Sequence, residues 1–122
     1  MSRFIRSFGF AWKGILCCLP GGTNFKIQLL LGALTFLLGF AFHISLTEWL
    51  VLLFCSMLVL SLEMMNTAFE KICDLVTTEF NPTVKVVKDV AAGAVLLSAA
   101  GSAIAATVVF LPKIILFVKS IH

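Results

Sequence analysis

The chain has 122 residues, 61% of them apolar and 12% charged, with a formal net charge of +3. Soluble domains carry about 25% charged residues. With a mean hydropathy of +1.11, the composition excludes a water-soluble domain and specifies one compact membrane unit. So small a positive balance implies no nucleic-acid partner; the bilayer is the partner that composition names.

Residues 1–19 start basic and continue apolar, as a leader peptide would. Their apolar positions are periodic, however: Phe4, Phe8, Trp12, Ile15, Leu16 and Leu19 share one helical face, with Arg3, Arg6 and Lys13 largely elsewhere. With no small-x-small cleavage site following, the spacing predicts an amphipathic helix in the headgroup region. Pro20-Gly21-Gly22-Thr23-Asn24 is expected to break it. Three apolar spans follow, over about 26–43, 48–76 and 83–118. The first is short for a bilayer that takes about 20 helical residues to cross. His43 to Thr47 make a short outer connection, and Glu48 belongs to the first turn of the next helix. Residues 77–83 make the inner connection, turning at Asn81-Pro82. Pro112 is expected to end or kink the third span. Small residues Ala94, Ser98, Gly101, Ser102 and Ala105 fall on one side of that span, where they allow close helix approach in lipid.

Four cations (Arg3, Arg6, Lys13, Lys26) precede the first span, three (Lys71, Lys85, Lys88) surround the inner connection, and none lies between Lys26 and Lys71. Cytoplasmic loops concentrate Lys and Arg, so the amino terminus and second connection are expected inside. Lys113 and Lys119 run against this bias and read as snorkelling anchors. Cys17, Cys18, Cys55 and Cys73 form no Cys-x-x-Cys pair and read as small apolar fillers in a reducing compartment. The adjacent Cys17-Cys18 also offers a lipidation pattern.

The second span carries the decisive feature. Each helical residue advances by about 100°, so Glu63, Asn66, Glu70 and Asp74 project from one stripe with Thr67 beside it. A carboxylate near the centre of a membrane helix costs about 2.5–3.5 kcal/mol, so this stripe is expected to line a polar site. A second cluster, Glu79, Lys85, Lys88 and Asp89, stands across the inner connection. Carboxylates and cations at a membrane interface suit phosphoryl transfer: one carboxylate holds magnesium, another accepts a hydroxyl proton, and lysine balances phosphate charge. No Walker-type loop and no Gly-x-Gly-x-x-Gly occurs, so no standard nucleotide fold is signalled. An ion or proton pathway and purely structural polar contacts remain open on these residues. A pathway would need polar groups through the full membrane thickness, and the outer halves of the spans offer only scattered Ser, Thr and Cys.

Three motifs occur in order. Glu-x-x-Asn-(Ser/Thr)-Ala-x-Glu-x-x-x-Asp appears as Glu63 to Asp74. A Lys-Asp pair followed by small residues appears as Lys88-Asp89-Val90-Ala91-Ala92-Gly93-Ala94. A Gly-aromatic-x-Trp-Lys-Gly pattern appears as Gly9-Phe10-Ala11-Trp12-Lys13-Gly14. On these motifs the whole chain resembles the prokaryotic diacylglycerol kinase family, which includes the undecaprenol kinases. The resemblance implies an all-α homotrimer of three-span subunits, each with a surface helix, and composite sites between neighbouring subunits. It implies a single lipid kinase domain over residues 1–122 in the bacterial cytoplasmic (inner) membrane, with amino terminus and active site on the cytoplasmic side. The reaction it implies is transfer of the ATP γ-phosphate to the primary hydroxyl of a membrane lipid alcohol, with Mg2+ as cofactor. By the same resemblance Glu63 is the catalytic base, Asn66 orients groups beside it, and Glu70 is a magnesium ligand on the nucleotide side. Lys88 and Asp89 match the nucleotide-binding pair, with Glu79, Phe80 and Asn81 near the nucleoside. Arg3 and Phe10 fall at nucleotide-side positions. Arg3, Trp12, Asn24, Phe25, Lys26 and Glu63 match the lipid side, and the Val90–Ala94 run favours undecaprenol over diacylglycerol.

One departure stands out. Family members usually carry a second magnesium-ligand glutamate two positions before the residue aligned to Asn24, and here that position is Gly22. Magnesium needs few protein ligands when phosphates and waters complete its octahedron, so weaker metal affinity is the expected cost. A catalytically weak or silent scaffold of the same fold is the alternative. Simpler roles also compete residue by residue. Asn66 and Thr67 also read as interhelical hydrogen-bonders, Asp74 as a solvated charge, Trp12 and Trp49 as interface anchors, and His43 as a structural residue.

Overall fold

The structure, a computed structural model, describes residues 2–122; the first residue of the expected surface helix lies outside them. Four helices follow in order: α1 (Arg3–Gly21), α2 (Thr23–Ala41), α3 (Leu46–Val76) and α4 (Pro82–Ile121). No strand occurs among the described residues. Three helices (residues 24–41 of α2, all of α3 and all of α4) are long and apolar enough to cross a membrane. With α1 strongly amphipathic beside them, the chain is an all-α integral membrane protein. Its surface agrees: large apolar side chains along all three spans, such as Leu30, Phe54 and Leu97, face outward. In water such faces would be a liability, and in lipid they are the solvent-facing surface.

Local chemistry sets the helix ends. Ser2 Oγ accepts from the Ile5 N–H at 3.3 Å and opens α1. A capping box opens α3: the Ser45 hydroxyl accepts from the Glu48 N–H at 3.2 Å, while the Ser45 N–H donates to Glu48 Oε1 at 3.0 Å. Asn81 Oδ1 accepts from the N–H groups of Thr83 (2.9 Å) and Val84 (3.2 Å), with Pro82 in the first helical turn.

Two expectations at prolines are corrected. The break at residues 20–24 narrows to Gly22 alone, in extended backbone at φ −119° and ψ 98°; Pro20 and Gly21 finish α1, and Thr23 and Asn24 start α2. Proline disrupts the turn before it, and α1 ends one residue later in any case. Pro112 does not end α4, which runs to Ile121. Lys113 Nζ, one residue beyond, reaches Glu48 Oε2 at 3.2 Å and ties this segment to the start of α3. Lys113 is therefore an ion-pair partner rather than a free snorkelling anchor; Lys119 remains exposed.

Helices α3 and α4 form the most extensive pairing, and α1 touches α2 and α3 only lightly. The small-residue side of α4 contributes to that pairing in part: Ser98, Ser102 and Ala105 are half-buried, while Ala94 and Gly101 stay exposed. The apolar core sits at the end opposite the inner connection, where Ile44, Leu52, Val109 and Phe110 are joined by Leu38, Phe42, Trp49 and Ala106. Trp49 packs on Phe36 and Phe40, with ring centroids 5.3 and 4.9 Å away, and closes against Gly39. A Cβ at Gly39 would stand 2.6 Å from Trp49 Cη2. Gly39→Ala is expected to cost about 1–3 kcal/mol through overpacking. The check is the thermal unfolding midpoint in micelles, which should fall; an unmoved midpoint would mean the indole relocates freely. His43, at φ 50°, occupies the tight turn between α2 and α3 far from the charged end, consistent with a structural role.

Candidate functional site

At 1.5 Å rise per residue, α3 is about 46 Å long and exceeds a hydrocarbon core of about 30 Å. Counted from Leu46 along an untilted helix, Glu63 lies about 26 Å in, at the far edge of that core, and Glu70 and Asp74 lie beyond it. The acidic stripe therefore begins where hydrocarbon gives way to headgroups.

There the structure forms a polar cavity of about 370 Å³. Cys17, Cys18 and Gly21 of α1, Gly22, Asn24 of α2, and Glu63, Asn66, Thr67, Glu70, Lys71 and Asp74 of α3 line it. The stripe is thus brought together on one cavity. Glu63 is 5% exposed, the one buried charged side chain among the described residues. The Asn66 amide Nδ2–H donates to Glu70 Oε1 at 3.2 Å, and the Thr67 hydroxyl donates to the Glu63 carbonyl at 3.0 Å. Both bonds run within α3, so neither is the interhelical bond of the simpler competing reading. Asn66 Oδ1 is buried and has no hydrogen-bond partner among the described residues.

The second charged cluster reaches the stripe through one residue. Lys88 Nζ pairs with Asp74 Oδ1 at 3.0 Å, whereas Lys85 pairs with Asp89 along α4 itself. Asp74 is therefore a paired charge rather than a merely solvated one. Glu79 and Phe80 are exposed in the connection, and the carboxamide oxygen of Asn81 is committed to capping α4. On α1, Arg3, Phe10 and Trp12 are exposed and do not line the cavity; the Lys13 ammonium lies 5.9 Å from the Phe10 ring centroid. Of the three lipid-side candidates in the first turn of α2, Asn24 lines the cavity, Lys26 is exposed, and Phe25, at 3% exposure, is buried.

Gly22 stands in the cavity wall, and a Cβ there would meet the Cys18 carbonyl at 3.2 Å and Phe25 Cβ at 3.3 Å. The available donors are hard oxygens: the Glu70 carboxylate and the unpartnered Asn66 Oδ1. Among the described residues no group of three His, Cys, Asp or Glu could hold a metal ion. That donor set fits magnesium, which binds through one or two carboxylates plus substrate phosphates rather than in an all-protein cage.

A second cavity, of about 470 Å³ and almost wholly apolar, adjoins the first. Gly14, Ser61, Met64, Met65 and Ala68 line it together with Cys17, Cys18, Thr67 and Lys71, which it shares with the polar one. Of these shared residues the motifs single out Thr67 and leave Cys17, Cys18 and Lys71 unspecified. Successive positions on α3 carry the signal: the polar face centres on Glu63, Glu70 and Asp74, the apolar face on Met64 and Ala68, and Thr67 and Lys71 lie between. A third cavity, of about 250 Å³, lies among α2, α3 and α4 and presents Thr35, Ser56 and Ser102.

A three-span bundle with a buried carboxylate, oxygen donors and an ion-paired lysine at one end, beside an apolar cavity, defines a membrane protein built to act where lipid meets water. Residues 9–110 match the family described as prokaryotic diacylglycerol kinase, and the chain belongs to that family. It is 35% identical over 114 residues to the undecaprenol kinase of Bacillus subtilis (strain 168), covering 93% of each chain. It is 34% identical over 110 residues to the diacylglycerol kinase of Synechocystis sp. (strain ATCC 27184 / PCC 6803 / Kazusa), covering 89% of this chain and 63% of that protein.

Proposed function

We propose that this chain is an ATP-dependent lipid kinase whose acceptor is undecaprenol in preference to diacylglycerol. The observation that carries it is Glu63: a buried carboxylate on the same cavity as Asn66 and Glu70, with an apolar cavity alongside. Burying an unpaired carboxylate costs stability, and a base that meets a lipid hydroxyl at the membrane edge gives that cost a purpose. The undecaprenol preference is supported by the B. subtilis relative, whose match covers 93% of both chains, whereas the match to the diacylglycerol kinase relative covers 63% of that protein.

In this mechanism the acceptor hydroxyl enters sideways from the bilayer and the nucleotide from the cytoplasm. Glu63 accepts the hydroxyl proton as the lipid oxygen attacks the γ-phosphorus. Asn66 steadies the Glu70 carboxylate through its Nδ2–H. Lys88, held at the cavity rim by Asp74, balances phosphate charge. Magnesium held by Glu70 would supply charge neutralisation for the phosphates when bound. Arg3, Phe10, Glu79, Phe80, Asn81 and Asp89 for nucleotide, and Trp12, Phe25 and Lys26 for lipid, do not line this chain's cavity. A homotrimer with sites shared between subunits would let them serve a neighbour's. The cation bias supports a cytoplasmic amino terminus and site, in what we read as a bacterial inner membrane. Residues 1–122 then make one kinase domain.

A silent scaffold of the same fold is the competing reading, with Gly22 in the cavity wall on its side and the buried Glu63 against it. Presenting undecaprenol and diacylglycerol in the same micelles with radiolabelled ATP decides acceptor preference. Faster labelling of undecaprenol is expected; equal labelling would remove the preference, and labelling of neither would favour the scaffold.

A further inference from the structure

The polar and apolar cavities meet at Lys71. Among the described residues it is the one cation lining either of them, and it makes no ion pair or side-chain hydrogen bond with any of them. The other cations near the acidic stripe are engaged: Lys88 with Asp74, and Lys85 with Asp89. On α3, Lys71 stands one turn beyond Thr67 and two beyond Glu63, at the border between the acidic face and the Met64–Ala68 face.

We propose that Lys71 contacts the transferring phosphoryl group from the acceptor side and holds the phosphate of the lipid product. This rests on the lipid kinase reading and deepens it. In the reaction the bond from the γ-phosphorus to the β-bridging oxygen of ATP breaks and a bond to the lipid oxygen forms. The hydroxyl proton passes to Glu63, leaving ADP and a lipid phosphate. The lipid chain end occupies the apolar cavity and its oxygen faces Glu63, so the new phosphate lies at the seam between the cavities. A buried carboxylate and Glu70 would repel that dianion unless a cation stood beside it. Lys71 is the side chain placed to do so, with three donors on a flexible stem that reaches a phosphate as a point charge.

The test measures equilibrium binding of two probes to the purified protein in micelles, undecaprenyl phosphate and a non-hydrolysable ATP analogue with magnesium, for the parent, Lys71→Met and Lys71→Arg. Lys71 is exposed and unpartnered, so both variants should fold. Lys71→Met is expected to weaken lipid phosphate binding by roughly tenfold, the loss of one charge-assisted hydrogen bond, with nucleotide binding changed by less than about twofold. Lys71→Arg should recover most of the lipid phosphate affinity. Turnover should fall in Lys71→Met with little change in the KM for ATP. Loss of nucleotide binding instead of lipid phosphate binding, or no loss of either, would overturn the assignment. If the parent transfers phosphate to no lipid, the kinase reading itself fails; if the parent turns over and Lys71→Met binds lipid phosphate normally, only the Lys71 assignment does.

Discussion

Glu63→Gln is expected to abolish lipid phosphorylation while leaving the protein folded and able to bind nucleotide. The substitution keeps the shape of the buried side chain and its backbone contacts but removes the oxygen that would take the hydroxyl proton. General-base catalysis contributes about 10²–10⁴-fold, so turnover should fall at least into that range. Affinity for a non-hydrolysable ATP analogue should stay within about twofold, because Glu63 is assigned to the acceptor rather than the phosphates. Removing a buried carboxylate also removes its desolvation cost, so the thermal midpoint should hold or rise. Near-parent turnover in this variant would falsify the base assignment. Equal loss of turnover and nucleotide binding would move Glu63 to the nucleotide side.

Glu70→Ala should act on metal dependence. Glu70 is the exposed carboxylate that Asn66 holds by its Nδ2–H, and Gly22 offers no second carboxylate across the cavity. The magnesium concentration for half-maximal binding of an ATP analogue should rise by about tenfold or more, since even an outer-shell partner of a metal is worth about 10–100-fold. Nucleotide affinity at fixed low magnesium should fall in parallel and recover in part at high magnesium. Manganese binding followed by electron paramagnetic resonance reads the same change without turnover. A metal titration that superimposes on the parent's would move the ligand elsewhere.

The membrane architecture was legible because its signals are local. Charge-free apolar runs, the short connection ending before Glu48, and Asn81-Pro82 each mark a span or its end without tertiary information. The acidic stripe was legible for the same reason, since helical periodicity alone places Glu63, Asn66, Glu70 and Asp74 on one face. What sequence could not give was the partnering. Lys85 stands four residues before Asp89 and pairs with it along α4, a spacing sequence does show, whereas nothing local says that Lys88 crosses to Asp74. The Lys113–Glu48 pair joins residues 65 positions apart, so it is invisible to any local pattern. The prolines were legible in part: the break signalled at residues 20–24 falls at Gly22, just after Pro20, whereas α4 continues past Pro112, where Lys113 holds it to α3. Lys71 was hidden by the motif itself, which leaves its position unspecified between Glu70 and Asp74. Only the meeting of two cavities distinguishes it from an ordinary interfacial lysine.

The most direct measurement of the whole account is transfer of labelled phosphate from γ-labelled ATP by the purified protein in mixed micelles with magnesium and undecaprenol. The label should appear in undecaprenyl phosphate, in proportion to ADP formed, and it should vanish with Glu63→Gln. A folded sample that, at saturating ATP and magnesium, labels neither undecaprenol nor diacylglycerol would contradict the assignment of this membrane-edge cavity to phosphoryl transfer.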